Sequence, residues 1–591
     1  MKERISGNTR AEIYGFDFRP RTDEKTNMGG EASIWLASLT GENGGETFAG
    51  IEGFVDTIID LSQKGNICLY CFDLALHWSF IYYDLLRRGY RFVKRVRKDQ
   101  EKVFSAFGSR NASTLFSAMI RPSKRSVIFF KDLKQVYAGF SSLYDMAQAF
   151  KSERPFFPDD LEKEHAKGEE PTEEERENCL SRSGFVFDVL KRQEGDPAFF
   201  QAFTLASYSM KRAILRAFGW CKAPYAVFRS KKMYPRTKDP DEITALRCSI
   251  KGGLTGPTIA AIDRGYEIHD EIFVIDRTQS YPTEMRYSKM PRGLGEPFEG
   301  FQIIKKSCCL YHVLIKSFDA VKIHSIPALM QGHIHFMPEG SDPIELWLWE
   351  WEYWAAFSCY INLKAEVLGG YAYKLGVCPF GQYVEENQAQ RAKLEDEGDH
   401  IQAAHLKALN VSIYGKLIQK NSKETFTLET DEEGVMTTGL SERDEEKEAA
   451  YIYLPAGSAI PSLARYHLIE LAQKFGYENV LYVETDSLIV LANDKTKAVL
   501  NDMDLCKELG HWHLEAFAKR AYFPMAKRYK YETLDGRVVV KGAGIGVDAF
   551  KGLSFDEAKI TGSKVEQRVK KRAKGGTLLI KMQKKLKEIK Q

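Results

Sequence analysis

Residues Asn479–Leu491 read NVLYVETDSLIVL. Two β-prone apolar runs flank the polar turn Glu484-Thr485-Asp486-Ser487, the pattern of a hairpin with carboxylates at its tip. Burying such a hairpin is unfavourable unless water or a positive group compensates the acids. A hard divalent cation, which takes oxygen ligands, is the natural functional candidate, and a solvated acidic turn is the plain alternative. Upstream, Leu463 to Phe475 has the pattern of a helix that Gly476 ends.

Two other segments set polar groups beside regular structure. In Glu271–Met285, EIFVIDRTQSYPTEM, the β-prone run Ile272 to Ile275 puts Asp276 at a strand end, and Tyr281-Pro282 are expected to turn the chain out of the strand. Capping of the next helix is the alternative role for Asp276. Ile401–Lys420, IQAAHLKALNVSIYGKLIQK, places Leu406, Leu409, Ile413 and Leu417 on one helical face and Lys407, Asn410 and Tyr414 on another. A mid-helix glycine such as Gly415 costs about 1 kcal/mol, which implies a packing or ligand-contact reason.

In order along the chain, DRTQSYP, KALNVSIYG and YVETDS resemble the three polymerase motifs of family B DNA polymerases, DxxSLYP, KxxxNSxYG and YxDTDS. Ile250-Lys251-Gly252-Gly253 resembles the YxGG loop, Lys527-Arg528-Tyr529 the KxY motif, and Lys541-Gly542-Ala543-Gly544 a segment just downstream of it. Length and spacing look most like the protein-primed branch of small bacteriophages and linear plasmids. That branch carries two insertions, for which Phe301 to Asp399 and Ile418 to Ala459 leave room; Ile344–Trp354, IELWLWEWEYW, resembles a segment of the first.

The resemblance implies template-directed addition of dNTPs to a 3′ hydroxyl, with two Mg²⁺ (or Mn²⁺) ions held by Asp276 and Asp486 and more weakly by Glu484. It further implies that Lys407, Asn410 and Tyr414 meet the nucleotide and that Tyr281 packs beneath its sugar. Gly252, Gly253, Lys527 and Tyr529 would meet primer and DNA. Departures from the family pattern stand at Glu484, Val411, Gln279, Ser280 and Ile250. DNA template and primer, dNTPs and a terminal protein are the partners implied. The alternatives are a catalytically impaired nucleic-acid-binding scaffold and a DNA-primed polymerase in repair or defence.

Upstream, strand-like pieces (Ile13 to Phe16, Ile67 to Phe72, Ser126 to Phe130) alternate with a helical Gly53 to Lys64, an α/β pattern of about 190 residues. By resemblance this is an RNase H-like 3′–5′ exonuclease domain, degenerate at its metal site. Asp17 matches the first carboxylate of its DxE motif, but Arg19 replaces the second. In the NxxFD motif Asp73 falls on the Asn and His77 on the catalytic Asp, and the third motif offers Arg182 or Ser183 for its Asp. Proofreading is expected to be absent.

The fold class that follows is α/β and α+β multidomain. Its expected parts are 1–190 (exonuclease-like), 191–300 (linker and first palm part), 301–400 (first insertion and start of the fingers), 401–420 (fingers helix), 421–530 (second insertion and palm) and 531–591 (thumb). A 591-residue chain with 44% hydrophobic residues excludes global disorder. Its net charge of +3 hides opposed runs: ten acids against three bases in Asp159 to Asn178, read as a solvated spacer, and eleven bases against two acids in Thr561 to Gln591. The acidic Thr430 to Glu448 reads as a surface hairpin or insertion. Ten scattered cysteines, including a lone Cys68/Cys71 pair in an apolar run, read as reduced thiols. The start lacks a secretion signal and no apolar run is long enough to span a membrane, so the bacterial cytoplasm, in the service of a phage or mobile element, is the expected setting.

Overall fold

The computed structural model describes residues 1–6, 9–20, 32–93, 95–108, 115–137, 140, 142–155, 169–420, 422–430, 436–447, 451–542, 553–558, 560, 564–573 and 576–585. Strands β1 (Thr9–Pro20), β2 (Ile34–Gly41), β3 (Gly44–Ala49) and β4 (Ile67–Cys71) precede helix α1 (Leu74–Arg87). Three more, β5 (Val103–Gly108), β6 (Leu115–Ser123) and β7 (Ser126–Asp132), precede helix α2 (Glu173–Arg192). The strands join one sheet in the order β3-β2-β1-β4-β7-β6-β5, with β4 parallel to both its neighbours. Period-two alternation divides the core. Phe16, Phe18, Leu69 and Cys71 pack with Phe54, Trp78 and Ile81, whereas Ile13, Cys68 and Tyr70 share a second core with Phe185, Val186 and Val189 of α2.

The acidic stretch is not a plain spacer in its second half. Thr172 and Glu175 form a capping box that starts α2, and Glu173 to Glu175 occupy its first turn. Acids there complement the positive end of the helix dipole, so the local charge favours a helix start.

The central region runs through β8 (Thr255–Pro257), β9 (Ile272–Arg277) and helix α3 (Ser280–Tyr287). Then come β10 (Lys289–Glu299), β11 (Ser307–Ser317), β12 (Ile344–Trp349) and β13 (Lys364–Val377). Helices α4 (Gly381–Asp396), α5 (His400–Leu417) and α6 (Leu454–Phe475) lead to β14 (Val480–Glu484), β15 (Ser487–Leu491), β16 (Trp512–Met525), β17 (Arg528–Thr533) and β18 (Val538–Gly542). An antiparallel sheet in the order β8-β14-β15-β9-β16-β17-β18 forms the floor of the site. A separate four-stranded sheet, β10-β13-β11-β12, stands where the first insertion was expected, but it begins at Lys289 and ends before α4.

Helix α5 occupies the expected 401–420 segment, and α4 precedes it at the end of 301–400. Two further boundaries differ from the sequence expectation. β17 and β18 belong to the central sheet, so residues 531–542 are not part of a separate C-terminal unit. Helix α6 starts at Leu454, nine residues before the expected Leu463, and carries Pro461 within it. Strands Ser422–Thr430 and Met436–Lys447 form a hairpin whose second strand lies within the acidic Thr430 to Glu448 and whose first precedes it, and Lys564–Ala573 pairs with Gly576–Lys585 in the basic segment. All ten cysteines are free, Cys68 and Cys71 buried in β4. Among the described residues no helix is long and apolar enough to cross a membrane.

Candidate active site

Strand register builds the site. β9 pairs with β15 so that Asp276 stands opposite Ser487, and the Arg277 amide donates to the Asp486 carbonyl at 2.8 Å. The acids from the two segments therefore meet at adjacent strand ends. Thr485 takes a left-handed backbone (φ 43°), which closes the turn from Glu484 to Ser487 in two residues.

A loop braces this turn. The Thr485 amide donates to the Leu254 carbonyl at 2.7 Å, and a Cβ on Gly253 would come within 2.6–2.7 Å of Thr485 atoms. Only glycine permits this approach. Arg465 of α6, itself buried against Glu352, donates to the carbonyls of Lys251 and Gly252 at 2.9 and 2.7 Å. A Cβ on Gly252 would meet nothing within 4 Å.

Concentrated negative charge marks the centre. Burial, the Asp486 carboxylate and Glu515 push Asp276 up to about 7, with Lys407 and Lys541 pulling the other way. Burial also raises Asp486, offset by Lys407. Glu484 rises through burial, while Lys527 opposes and Asp486 adds to that rise; its carboxylate accepts from Thr255 Oγ1 at 3.4 Å. Glu515 and His513 are contributions the sequence reading missed. The register of β9 against β16 slips between Val274 and Ile275, pairing them with Ala516 and Leu514, so Glu515 is the bulged residue. Bulges re-aim side chains, and no local sequence signal marks this one. His513 Nε2 lies 3.8 Å from Asp276.

Tyr281 and Pro282 sit in the first turn of α3 and do not make the turn itself; that falls at Gln279, which is left-handed (φ 47°). Tyr281 meets Tyr414 edge-on, ring centroids 5.0 Å apart, and burial pushes its hydroxyl up to about 12. On α5, Lys407 is exposed and Tyr414 half-buried, but Asn410 is 0% exposed. Its amide accepts from Asn387 at 2.8 Å and donates to Gln279 and to the Val384 carbonyl at 3.2 and 3.1 Å. Asn410 is therefore an internal tie between α4, α5 and the Gln279 turn, which corrects its expected place on the nucleotide face. Val411 is 38% exposed instead. A Cβ on Gly415 would meet nothing within 4 Å, so internal packing does not require that glycine.

Lys527 is left-handed (φ 59°) in the turn between β16 and β17, its amide donating to Tyr482 Oη at 2.8 Å. Tyr529 is buried, its ring 4.8 Å from that of Tyr482. Ala543 and Gly544 lie outside the described residues.

Residues 190–501 match the family profile of DNA polymerase type B, organellar and viral. The chain belongs to this family. The DNA polymerase of Streptococcus phage Cp-1 is 24% identical over 337 residues, which cover 54% of this chain and 56% of that relative's length. Phi29 DNA polymerase complexed with primer-template DNA and incoming nucleotide substrates superimposes with a TM-score of 0.82, over 98% of this chain and 100% of that one, at 20% identity. Its complex with single-stranded DNA gives 0.78 at 19% identity, with the same coverage. Type B polymerases work with divalent cations. The half-buried carboxylates of Asp276 and Asp486, the second of which raises the proton affinity of the first, supply the hard oxygen donors such ions take.

In the N-terminal domain the residues of the expected remnant come together as a set of paired charges around Asp17. Asp17 of β1 is 1% exposed, with His77 Nε2 3.0 Å from Oδ1 and Arg182 Nε 2.5 Å from Oδ2. Burial raises the Asp17 carboxyl, but the Arg182 guanidinium, the His77 ring and Arg19 outweigh it and hold the group well below the carboxylate range. A Cβ on Gly15 would fall 2.4 Å from the Ser183 carbonyl, so a bare backbone lets α2 lie on β1 and deliver Arg182. Ser183 instead shares a hydrogen bond with Thr40 at 2.8 Å. Asp73 is the N-cap of α1, left-handed at φ 75°, and accepts from the Leu76 amide.

Proposed function

We propose that this chain is a template-directed DNA polymerase that adds deoxynucleoside triphosphates to a 3′ hydroxyl. The observation that carries the reading is the meeting of Asp276 and Asp486 on adjacent strand ends, with the positive charge of Lys407 felt by both. Asp276 and Asp486 would hold two Mg²⁺ or Mn²⁺ ions, whose chemistry is to make the primer hydroxyl more acidic and to neutralise the triphosphate. Glu484, held toward Thr255, is the weaker ligand.

The chain's own groups supply the rest. Lys407 acts as a point charge for triphosphate oxygens. The Tyr281 ring, fixed edge-on by Tyr414, forms a floor that excludes a ribose 2′-hydroxyl. Open space at Gly415 lets the nucleobase come close to the helix backbone. Lys527, whose charge reaches Glu484, and Tyr529 would hold the primer end, and Gly252 and Gly253 would meet primer and DNA. The basic hairpin Lys564–Ala573 and Gly576–Lys585 would track phosphates.

The length and motif spacing that resemble the protein-primed branch support priming by a small terminal protein within a bacterial cell, with DNA template and dNTPs as the other partners. The N-terminal domain is read as lacking proofreading, because Arg182 and His77 occupy the Asp17 carboxylate where a cation would bind. Primer extension by wild type and by Asp486→Ala tests the polymerase: activity in the first and its loss in the second is expected. Equal inactivity of both would favour a nucleic-acid-binding scaffold. Covalent labelling of a partner protein by radioactive dNTP tests the priming, and trimming of a mismatched 3′ end that Asp17→Ala abolishes would overturn the proofreading claim.

A further inference from the structure

Between the helix Asp494–Asn501 and β16, the chain makes a short closed loop against the Thr278 turn. One ligand atom each from Cys506, Glu508 and His511 lies within 4.8 Å of the others, the one such group of His, Cys, Asp and Glu among the described residues. Three backbone features hold the loop. The Cys506 amide donates to the Trp512 carbonyl at 3.0 Å, Leu505 bridges to Trp512, and the His511 amide donates to the Glu508 carbonyl at 3.2 Å. The loop is also bound to the catalytic strand's exit. Thr278 donates its amide to the His511 carbonyl at 3.1 Å, and the Gly510 amide donates to Thr283 Oγ1 at 3.1 Å.

We propose that Cys506, Glu508 and His511 form a zinc site that clips this loop. A thiolate, an imidazole and a carboxylate at mutual distances a tetrahedral ion can span suit Zn²⁺ and disfavour Mg²⁺, which takes oxygen ligands. Asp504 Oδ2 lies 3.5 Å from His511 Nδ1. That carboxylate stands where it can orient the ligand ring, as carboxylates beside metal-bound histidines do. Glu508 is exposed and Cys506 and His511 are half-buried, so the ion has an entry path and a solvent molecule takes the fourth position. Binding releases the Cys506 thiol proton to solvent, and no electron is transferred. The clip would stiffen the loop that feeds His513 and Glu515 toward Asp276 and, through Thr278, the turn that leaves it.

Zinc retention is read independently of the proposed polymerase activity and of its Mg²⁺ ions. The full-length protein is stripped with chelator, given one equivalent of ZnCl₂ and desalted, and its zinc is measured. Wild type and Asp486→Ala should each retain about one zinc, while Cys506→Ser and His511→Ala should each fall to background with unchanged circular dichroism. Cobalt(II) in place of zinc should give a thiolate-to-metal charge-transfer band in wild type that Cys506→Ser removes. Background zinc in wild type, retention in either loop variant, or a cobalt complex without the thiolate band would overturn the site.

Discussion

Replacing Arg182 by Met tests how the N-terminal domain tolerates a fully buried carboxylate. The substitution keeps most of the apolar stem and removes the guanidinium 2.5 Å from Asp17. Breaking a buried pair by deleting one partner costs about 3–5 kcal/mol, because the remaining charge is left uncompensated. His77 stays 3.0 Å from the other oxygen, so the lower end, about 3 kcal/mol, is the expected loss at neutral pH. The pH dependence sharpens the test. In wild type the Asp17 carboxyl is held below its unfolded value, so its stabilisation is complete above about pH 4 and fades as pH falls further. Without Arg182, burial dominates and the folded value rises above the unfolded one. Stability should then fall as pH increases, by up to about 1.4 kcal/mol per unit until that raised value is passed. Urea titrations read by pulse proteolysis of the N-terminal domain, between about pH 5 and 8, give both quantities. The double variant Asp17→Asn/Arg182→Met should recover most of the loss. A single variant within about 0.5 kcal/mol of wild type, or one with the wild-type pH slope, would refute the paired-charge account.

Gly253→Ala should lower primer extension by about a hundredfold through displacement of the Asp486 turn, whereas Gly252→Ala, with open space around it, should stay near wild type; parallel extension assays on folded protein decide. Because Asp276 is raised to about 7, a proton competes with the cation below that pH, so apparent Mn²⁺ affinity should weaken by up to about tenfold per unit on acidification and level off above it. Mn²⁺ titration by electron paramagnetic resonance at about pH 5.5, 6.5 and 7.5 checks the slope. Asn410→Ala should cost about 1–3 kcal/mol by leaving Asn387 and Gln279 short of a partner, with KM for dNTP unchanged, while Lys407→Ala should raise that KM. A raised KM in Asn410→Ala would restore it to the nucleotide face.

The hairpin from Val480 to Leu491 was legible because its alternation of apolar strand and polar turn is complete within twelve residues. Asp276 was legible for the same reason: the run Ile272 to Ile275 fixes a strand, and a strand has an end. What escaped depends on partners far along the chain. Asn410 and Tyr414 look alike by helical spacing, yet Asn387 and Gln279 close over one and not the other. Glu515 reaches the centre through a bulge that only the pairing of β9 and β16 defines. Helix α2 did have a local signal, the Thr172 and Glu175 box, but the density of acids around it also fits a solvated spacer. The meeting of Arg182 with Asp17, 165 positions apart, could be placed only as a motif register; their contact follows from how closely α2 lies on Gly15.

The buried amides of Asn410, Asn387, Gln279 and Gln388 have a mechanical consequence. They fasten α4 and α5 to the turn beside Asp276 at one level of the pair. Nearer the start of α5, Gln402 donates to the Ala149 carbonyl at 3.2 Å and His405 stacks on Tyr137, so the same helix is also held to the N-terminal domain. Lys407 lies between the two ties, about 4.5 Å along the axis from Asn410 and about 7.5 Å from Gln402. The ammonium whose charge both acids feel is therefore placed jointly by the central turn and by the N-terminal domain.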